Sequence, residues 1–177
     1  MKKGLVIINT GDGKGKTTAA LGMALRTIGN GKKLCIIQFI KSSRLNCGEH
    51  KALERLGAEI IKGGVGFTDK TNESESREAL KAVFEVASDK IINGNYDMVI
   101  LDEIIYALNI FDFDISDIIS EDKVIDILRN RPDGMHVVLT GRKASENLIN
   151  FADMVTEMKE IKHHFKSGVK AQVCIEF

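Results

Sequence analysis

Two kinds of hydrophobic pattern alternate along the chain. Short apolar runs rich in β-branched residues are typical of buried parallel strands. They predict strands at 5–8, 34–40, 59–61, 98–101, 135–140 and 154–156. Between them, apolar residues recur at helical spacing and predict helices from 16 to Asn30-Gly31, over 49–56, from 72 until Asn93-Gly94, in segments through 128, and up to Phe151. The alternation indicates an α/β fold with a mainly parallel central sheet, in a single domain over 1–177.

Three local signals refine this pattern. Asn72, with Glu75 three residues later, resembles a helix N-cap pair. Pro132 is the only proline, and its fixed φ suits a turn before the strand at 135–140. Residues from Ala171 to Phe177 alternate between apolar and polar, so we expect them to form an edge strand of the sheet.

A glycine-rich loop connects the first predicted strand to the first predicted helix. It reads Gly11-Asp12-Gly13-Lys14-Gly15-Lys16-Thr17-Thr18. Small residues let backbone N–H groups turn toward phosphate oxygens, a lysine at 16 reaches the terminal phosphates, and a hydroxyl at 17 suits Mg²⁺. A flexible glycine- and lysine-rich turn is the alternative, but it does not explain the strand before and the helix after. We expect this P-loop to bind ATP with Mg²⁺.

The loop is one residue shorter than the usual P-loop. Thr10 stands where the first glycine normally does, and the loop begins at Gly11. We therefore expect a somewhat different phosphate path. Within the loop, Lys14 contacts either phosphate or only solvent.

An acidic pair ends the strand at 98–101. Asp102 and Glu103 follow directly, which resembles a Walker B motif and places two carboxylates at the same sheet edge as the P-loop. One of them can hold Mg²⁺, directly or through water, while the other orients water or a polar partner; spacing alone leaves both assignments open. A helix N-terminus enriched in acids explains the pair by itself, but not its partnership with Lys16 and Thr17.

Another strand end carries a cation. Thr140-Gly141-Arg142 follows the strand at 135–140, so the guanidinium is expected at the same edge, where it can clamp a phosphate. An ordinary surface arginine is the competing interpretation.

Composition narrows the classes of function. The 25 basic and 25 acidic side chains leave no net charge, which argues against a nucleic-acid partner. No apolar run approaches the ~20 residues that span a bilayer, so we expect no membrane segment and a cytoplasmic protein. Cys35, Cys47 and Cys174 form no CxxC pair and predict packing or surface thiols, while the four histidines show no metal-ligand spacing and favour solvated or capping roles.

The motif sequences are more specific than those that P-loop enzymes share in general. The chain resembles the corrinoid adenosyltransferases of the CobA type, nearly end to end. The matching segments are Thr10 to Ala20, Gln38-Phe39-Ile40-Lys41, Gly66-Phe67-Thr68, Leu101-Asp102-Glu103, Thr140-Gly141-Arg142, and Lys162-His163 through Gly168-Val169-Lys170-Ala171-Gln172.

The resemblance implies a homodimeric enzyme with a RecA-like, three-layer P-loop NTPase fold. Such an enzyme transfers the 5′-deoxyadenosyl group of ATP to the cobalt of a reduced corrinoid and releases triphosphate, with a transient reductase partner. By motif, residues 11–18 hold ATP through Lys16, and Thr17 with Asp102 or Glu103 serves Mg²⁺, for which Mn²⁺ is the alternative. Arg142 adds positive charge, Phe67 faces the corrinoid, and Lys16, Arg142 and Glu103 form the catalytic set.

The chain departs from that family in two places. Members often have a tryptophan shortly after the Gly-Phe-Thr segment, but Asp69 stands near that position and the chain contains no tryptophan. Members also often carry an N-terminal extension over the nucleotide, whereas this sequence enters its first strand within a few residues, so we expect a more open ATP site.

Without the resemblance, other functions fit the same residues. An ATP hydrolase or small-molecule kinase uses the same loop, ion and arginine, but breaks a bond between phosphates. A non-enzymatic interaction protein, in which ATP orders residues 63–72 for a partner, is the third class.

Overall fold

A computed structural model describes residues 3–42, 47–64 and 73–176. Its sheet contains six strands among these residues, and every pairing is parallel. The strands are β1 (Val6–Thr10), β2 (Leu34–Ser42), β3 (Glu59–Gly64), β4 (Met98–Asp102), β5 (His136–Thr140) and β6 (Met154–Glu157), in the spatial order β3-β2-β4-β5-β1-β6.

Helices follow the strands as the hydrophobic pattern predicts. They are α1 (Lys16–Gly29), α2 (Gly48–Arg55), α3 (Glu73–Ile92), α4 (Ile104–Ile110), α5 (Glu121–Arg129) and α6 (Glu146–Phe151), with a short 3₁₀ turn at His164–Ser167. Serine caps begin two of them: Ser120 Oγ accepts from Lys123 N at 3.3 Å, and Ser145 Oγ accepts from Leu148 N at 3.2 Å.

Side chains alternate between the two faces of the sheet. On β1, Val6 and Ile8 pack in the core shared with α3 to α6, whereas Ile7 packs in the core shared with α1 and α2. The result is three layers, helices on both faces of a parallel sheet, because strands buried on both sides must be covered on both sides. The predicted α/β three-layer class is confirmed.

The predicted edge strand at 171–177 is wrong. The described part, residues 171–176, forms turns, and both Ile175 N and Glu176 N donate to Gln172 O, at 3.2 and 3.0 Å. Cys174 has a left-handed φ of 68°, which breaks an extended conformation. Val173 is 76% exposed, so the alternation of apolar residues here faces solvent rather than a core.

Two further expectations concern the helix cap at Asn72 and membrane segments. Asn72 lies outside the described residues, and α3 begins at Glu73. Among the described helices, none combines the length and apolar character needed to cross a membrane. The single domain and the cytoplasmic location stay predictions.

Candidate active site

The carboxyl ends of the parallel strands bring the chemistry to one edge of the sheet. β1 leads into the P-loop, β4 ends at Asp102, and β5 leads to Arg142. Because β4 lies between β2 and β5, Asp102 can be reached by side chains from both neighbours. This edge is where parallel α/β folds bind their ligands.

The P-loop packs tightly against residues that follow β6. Gly13 N donates to Met158 O at 2.7 Å, and a Cβ on Gly13 would meet that oxygen and Lys159 C at 2.7 Å. Gly11 has φ 97°, and a Cβ there would lie 2.5 Å from Met158 O. Only glycine fits these two positions, so residues 158–159 constrain the shape of the shortened loop.

Lys16 is held inside the loop that it follows. Its Nζ donates to Gly11 O and Gly13 O, each at 2.7 Å, and the residue is 7% exposed. Burial, and then the positive charge of Arg142, lower the pKa of Lys16, while Glu103 and Asp12 act in the opposite direction. The ammonium is therefore fixed beside the backbone that would cradle phosphate.

Three donors converge on the buried carboxylate of Asp102, which is 1% exposed. Thr17 Oγ1 and Thr140 Oγ1 each donate to Oδ1 at 2.8 Å, and Gln38 Nε2 donates to Oδ2 at 3.0 Å. Hydrogen bonds to the ionised form offset the cost of burying the charge. The two acids that the sequence leaves equivalent are thereby distinguished, because Asp102 contacts the P-loop hydroxyl.

Glu103 occupies a different environment. Its φ of 62° is left-handed, which is uncommon for a residue other than glycine and turns the chain from β4 into α4. Its N–H donates to Thr140 Oγ1 at 2.8 Å, and its side chain lines the cavity beside the P-loop. Thr140 therefore connects both acids.

A cavity of about 400 Å³ lies over the P-loop, within the size range of small-molecule sites. Residues 14–18 of the loop, Leu21 of α1 and Glu103 line it, and so do Glu49, Cys174, Ile175 and Glu176. Sequence reasoning missed this second group. The C-terminal residues carry no motif, and they reach the cavity because Glu176 Oε1 accepts from Lys14 Nζ at 2.8 Å.

The predicted residues Asp12, Lys14, Arg142 and Phe67 differ in their relation to the cavity. Lys14 lines it and contacts the Glu176 carboxylate, whereas the sequence predicted a contact with phosphate or with solvent only. Asp12 is exposed, and Arg142 is exposed outside the residues that line the cavity, although its charge acts on Lys16. Phe67, predicted to face the corrinoid, lies outside the described residues.

Gln38 was also missed as a site residue. It is a polar residue within the apolar run of β2, which is the signal that could have identified it, and it is 2% exposed. Its Nε2 binds Asp102, while its Oε1 accepts no hydrogen bond from any described residue.

Comparison with known proteins decides the family. The model of the family described as ATP:corrinoid adenosyltransferase BtuR/CobO/CobP matches residues 2–177. The chain belongs to the ATP:corrinoid adenosyltransferase family. The Escherichia coli K12 corrinoid adenosyltransferase is 38% identical over 177 residues, covering 99% of this chain and 87% of that protein. A Sinorhizobium corrinoid adenosyltransferase is 41% identical over 180 residues, covering 99% and 81%.

Solved structures agree on the fold of this adenosyltransferase. The flagellar accessory protein FlaH from Methanocaldococcus jannaschii superposes with a TM-score of 0.56 at 12% identity, covering 89% of this chain and 72% of that one. A KaiC-like protein from Pyrococcus horikoshii gives 0.51 at 17% identity, covering 87% and 71%. At such identities the likeness shows the fold alone, and that fold agrees with the predicted three-layer α/β class.

Proposed function

We propose that this adenosyltransferase transfers the 5′-deoxyadenosyl group of ATP to the Co(I) centre of a reduced corrinoid. The cobalt electron pair forms the Co–C5′ bond, the C5′–O bond breaks, and inorganic triphosphate leaves with the bonding electrons. Family membership supports the substrates, ATP and a corrinoid. The observation that carries the proposal is the cavity over the P-loop, which Lys16, Thr17 and Glu103 line together.

The protein need supply no nucleophile, since a Co(I) corrinoid is itself strongly nucleophilic. Asp102 already accepts hydrogen bonds from three side chains, so its proposed role is to orient and hold rather than to attack. The role proposed for Lys16 is to stabilise negative charge on the departing triphosphate, together with the positive charge of Arg142. Holding ATP in line with the cobalt uses proximity rather than acid–base chemistry.

The donor set at the end of β4 fits Mg²⁺. Hydroxyl and carboxylate oxygens are the ligands that this ion prefers, and Thr17 with Asp102 provides them in contact with one another. The Oε1 atom of Gln38 is a buried acceptor beside Asp102 without a hydrogen bond among the described residues, which suits an ion-bound water. When bound, Mg²⁺ neutralises charge on the triphosphate. In our proposal Thr17 and Asp102 hold it, with Glu103 on the cavity side; Mn²⁺ has the same ligand preference.

Product analysis tests the reaction. The enzyme is incubated with ATP, Mg²⁺ and chemically reduced cobalamin, and the expected products are inorganic triphosphate and a light-sensitive organocobalt species in equal amounts. ADP and phosphate as the only products would support the hydrolase or kinase alternative and overturn the proposal. ATP binding without turnover would instead support the nucleotide-dependent interaction protein.

A homodimer and a transient reductase partner belong to the same proposal. The dimer is supported by exposed apolar side chains after β6, among which Ile161 is 84% exposed, Phe165 is 70% exposed and Val173 is 76% exposed. Contiguous apolar surface commonly marks protein interfaces, and in our proposal these side chains contribute to one. The chemistry requires a reductant, because the Co(I) state must be generated before the transfer, and we propose that a transient reductase supplies the electron.

A further inference from the structure

We propose that Cys47, Glu49 and His50 form a binding site for one divalent ion of the zinc class at the rim of the nucleotide cavity. One ligand atom from each, the Cys47 thiol sulfur, a Glu49 carboxylate oxygen and a His50 ring nitrogen, lies within 4.8 Å of the other two. The site is distinct from the Thr17 and Asp102 pair, and it was not predicted from the sequence.

The start of α2 brings these residues together. Cys47 is the N-cap, in an extended conformation with φ −82° and ψ 155°, and the helix begins at Gly48. His50 N donates to Cys47 O at 3.2 Å, which closes the first turn. The N-cap and third helical residues therefore lie on the same side of that turn, with Glu49 between them in sequence.

Burial distinguishes the cluster from a set of surface residues. Cys47 is 1% exposed and His50 is 2% exposed. Of the two roles expected for this histidine, solvated or capping, the solvated one is therefore wrong. Glu49 is partly exposed and lines the cavity over the P-loop. A site built from these three side chains thus has two ligands in the protein interior and one at the cavity rim.

The donor chemistry selects the ion. Thiolate sulfur, imidazole nitrogen and carboxylate oxygen are all atoms that bind zinc in proteins. Three protein ligands leave the fourth position of a tetrahedral site for water or substrate. A thiolate and a carboxylate balance the ion's double positive charge, and a helix N-terminus favours both anions. Ligand atoms around tetrahedral zinc are ~3.5 Å apart, so small side-chain rotations would close the observed separation of up to 4.8 Å.

Metal titration of the purified, untagged enzyme tests the site in the absence of ATP and corrinoid. After chelator treatment, Zn²⁺ is titrated against a chromophoric competitor, and one ion per chain is expected. Cys47→Ser and His50→Asn should each weaken binding by more than the roughly 10–100-fold that loss of an outer-shell partner costs. Cys174→Ser, which removes an exposed thiol on the same cavity, and Thr17→Ala should bind Zn²⁺ like the wild type.

Cobalt substitution identifies the sulfur ligand directly. Co²⁺ bound to the wild type and to Cys174→Ser should give a thiolate-to-metal charge-transfer band, and Cys47→Ser should lack it. Glu49→Gln, at a partly exposed position, should keep that band but bind more weakly. This variant tests the site even if the two buried variants fail to fold. Uptake that is unchanged in Cys47→Ser and His50→Asn, or lost in Cys174→Ser or Thr17→Ala, means an adventitious ion only and overturns the proposal. A wild type that takes up no Zn²⁺ overturns it as well.

Discussion

Gln38 on β2 donates from Nε2 to Oδ2 of Asp102 on β4, at 3.0 Å, across a strand register that pairs the two residues directly. The amide orientation follows from the bond, because only the NH₂ group can donate to a carboxylate. Together with Thr17 and Thr140, Gln38 fixes the direction of a buried charge. Any ligand held by Asp102 is therefore positioned from three elements of the fold.

Replacing Gln38 by methionine keeps the volume but removes the donor. Hydrogen bonds to charged groups contribute about 1.5–3 kcal/mol, so Gln38→Met should lower the free energy of unfolding in urea by that amount. In our proposal it also raises the Mg²⁺ concentration needed for half-maximal activity, because Asp102 is less well oriented. Gln172→Met, at an exposed glutamine, is the matched control and should change neither. An unaltered Mg²⁺ dependence would remove Gln38 from the proposed ion site.

Lys16→Ala removes the ammonium proposed to stabilise triphosphate. Loss of one preorganised donor at a developing negative charge costs roughly 10²–10³-fold in kcat, and we expect a loss of at least that size. Steady-state kinetics should show a larger effect on kcat than on KM for ATP. Lys32→Ala, which removes a lysine paired with Asp97, is the control and should retain activity. Near-normal turnover of Lys16→Ala would contradict its assigned role.

The lowered pKa of Lys16 predicts a pH dependence. Its charge is present below the pKa of the folded protein and is lost as pH rises through it, so ATP binding should weaken at a pH below the ordinary lysine value of 10.5. In the same window the unfolded chain binds more protons, so this group's contribution to stability increases with pH. Isothermal titration of ATP across alkaline pH measures the first effect.

Arg142 is the second cause of that shift, after burial. ATP binding is expected to weaken as pH rises through the pKa of Lys16, and we call this part of the pH profile the alkaline limb. Arg142→Met should move the alkaline limb to higher pH and should also weaken ATP binding at lower pH. Arg129→Met, at an exposed arginine paired with Asp126, should leave the limb in place. A limb that does not move in Arg142→Met would show that the guanidinium is too far from Lys16 to act on it.

The ion pair between Lys14 and Glu176 holds the C-terminal segment over the P-loop. Glu176→Gln should release residues 171–176, increase their cleavage in limited proteolysis, and accelerate both association and dissociation of ATP in stopped-flow measurements. Glu85→Gln, at a carboxylate paired with Lys81 on α3, is the control. Unchanged nucleotide kinetics with increased cleavage would mean that the segment does not limit access to the cavity.

Parallel topology explains why the main site could be read from the sequence. Lys16, Thr17 and Asp102 follow predicted strands, and the carboxyl ends of such strands share one edge. Local sequence patterns gave a wrong prediction where contacts between residues distant in sequence determine the structure. The alternation after Ala171 resembles a strand, but β6 already pairs with β1, and the segment instead folds onto Lys14.

The same limit applies to finer distinctions within the site. Asp102 and Glu103 are equivalent as neighbours in a sequence, and only the left-handed turn at Glu103 and the donors around Asp102 separate them. Cys47 and His50 are three residues apart, which carries no information until the helix is known to begin at Gly48. A capping geometry, rather than a motif, brings their side chains together.

The exposed apolar residues after β6 give the last prediction. If Ile161 and Val173, which are 84% and 76% exposed, lie in the proposed dimer interface, the double variant Ile161→Asp with Val173→Asp places two charges in an apolar contact. Sedimentation equilibrium should then show a monomer that is still folded by circular dichroism, because both side chains are outside the core. Leu25→Asp, at a 52% exposed leucine on α1, should remain dimeric. A wild type that sediments as a monomer would refute the dimer itself, and a dimeric double variant would place the interface on another face.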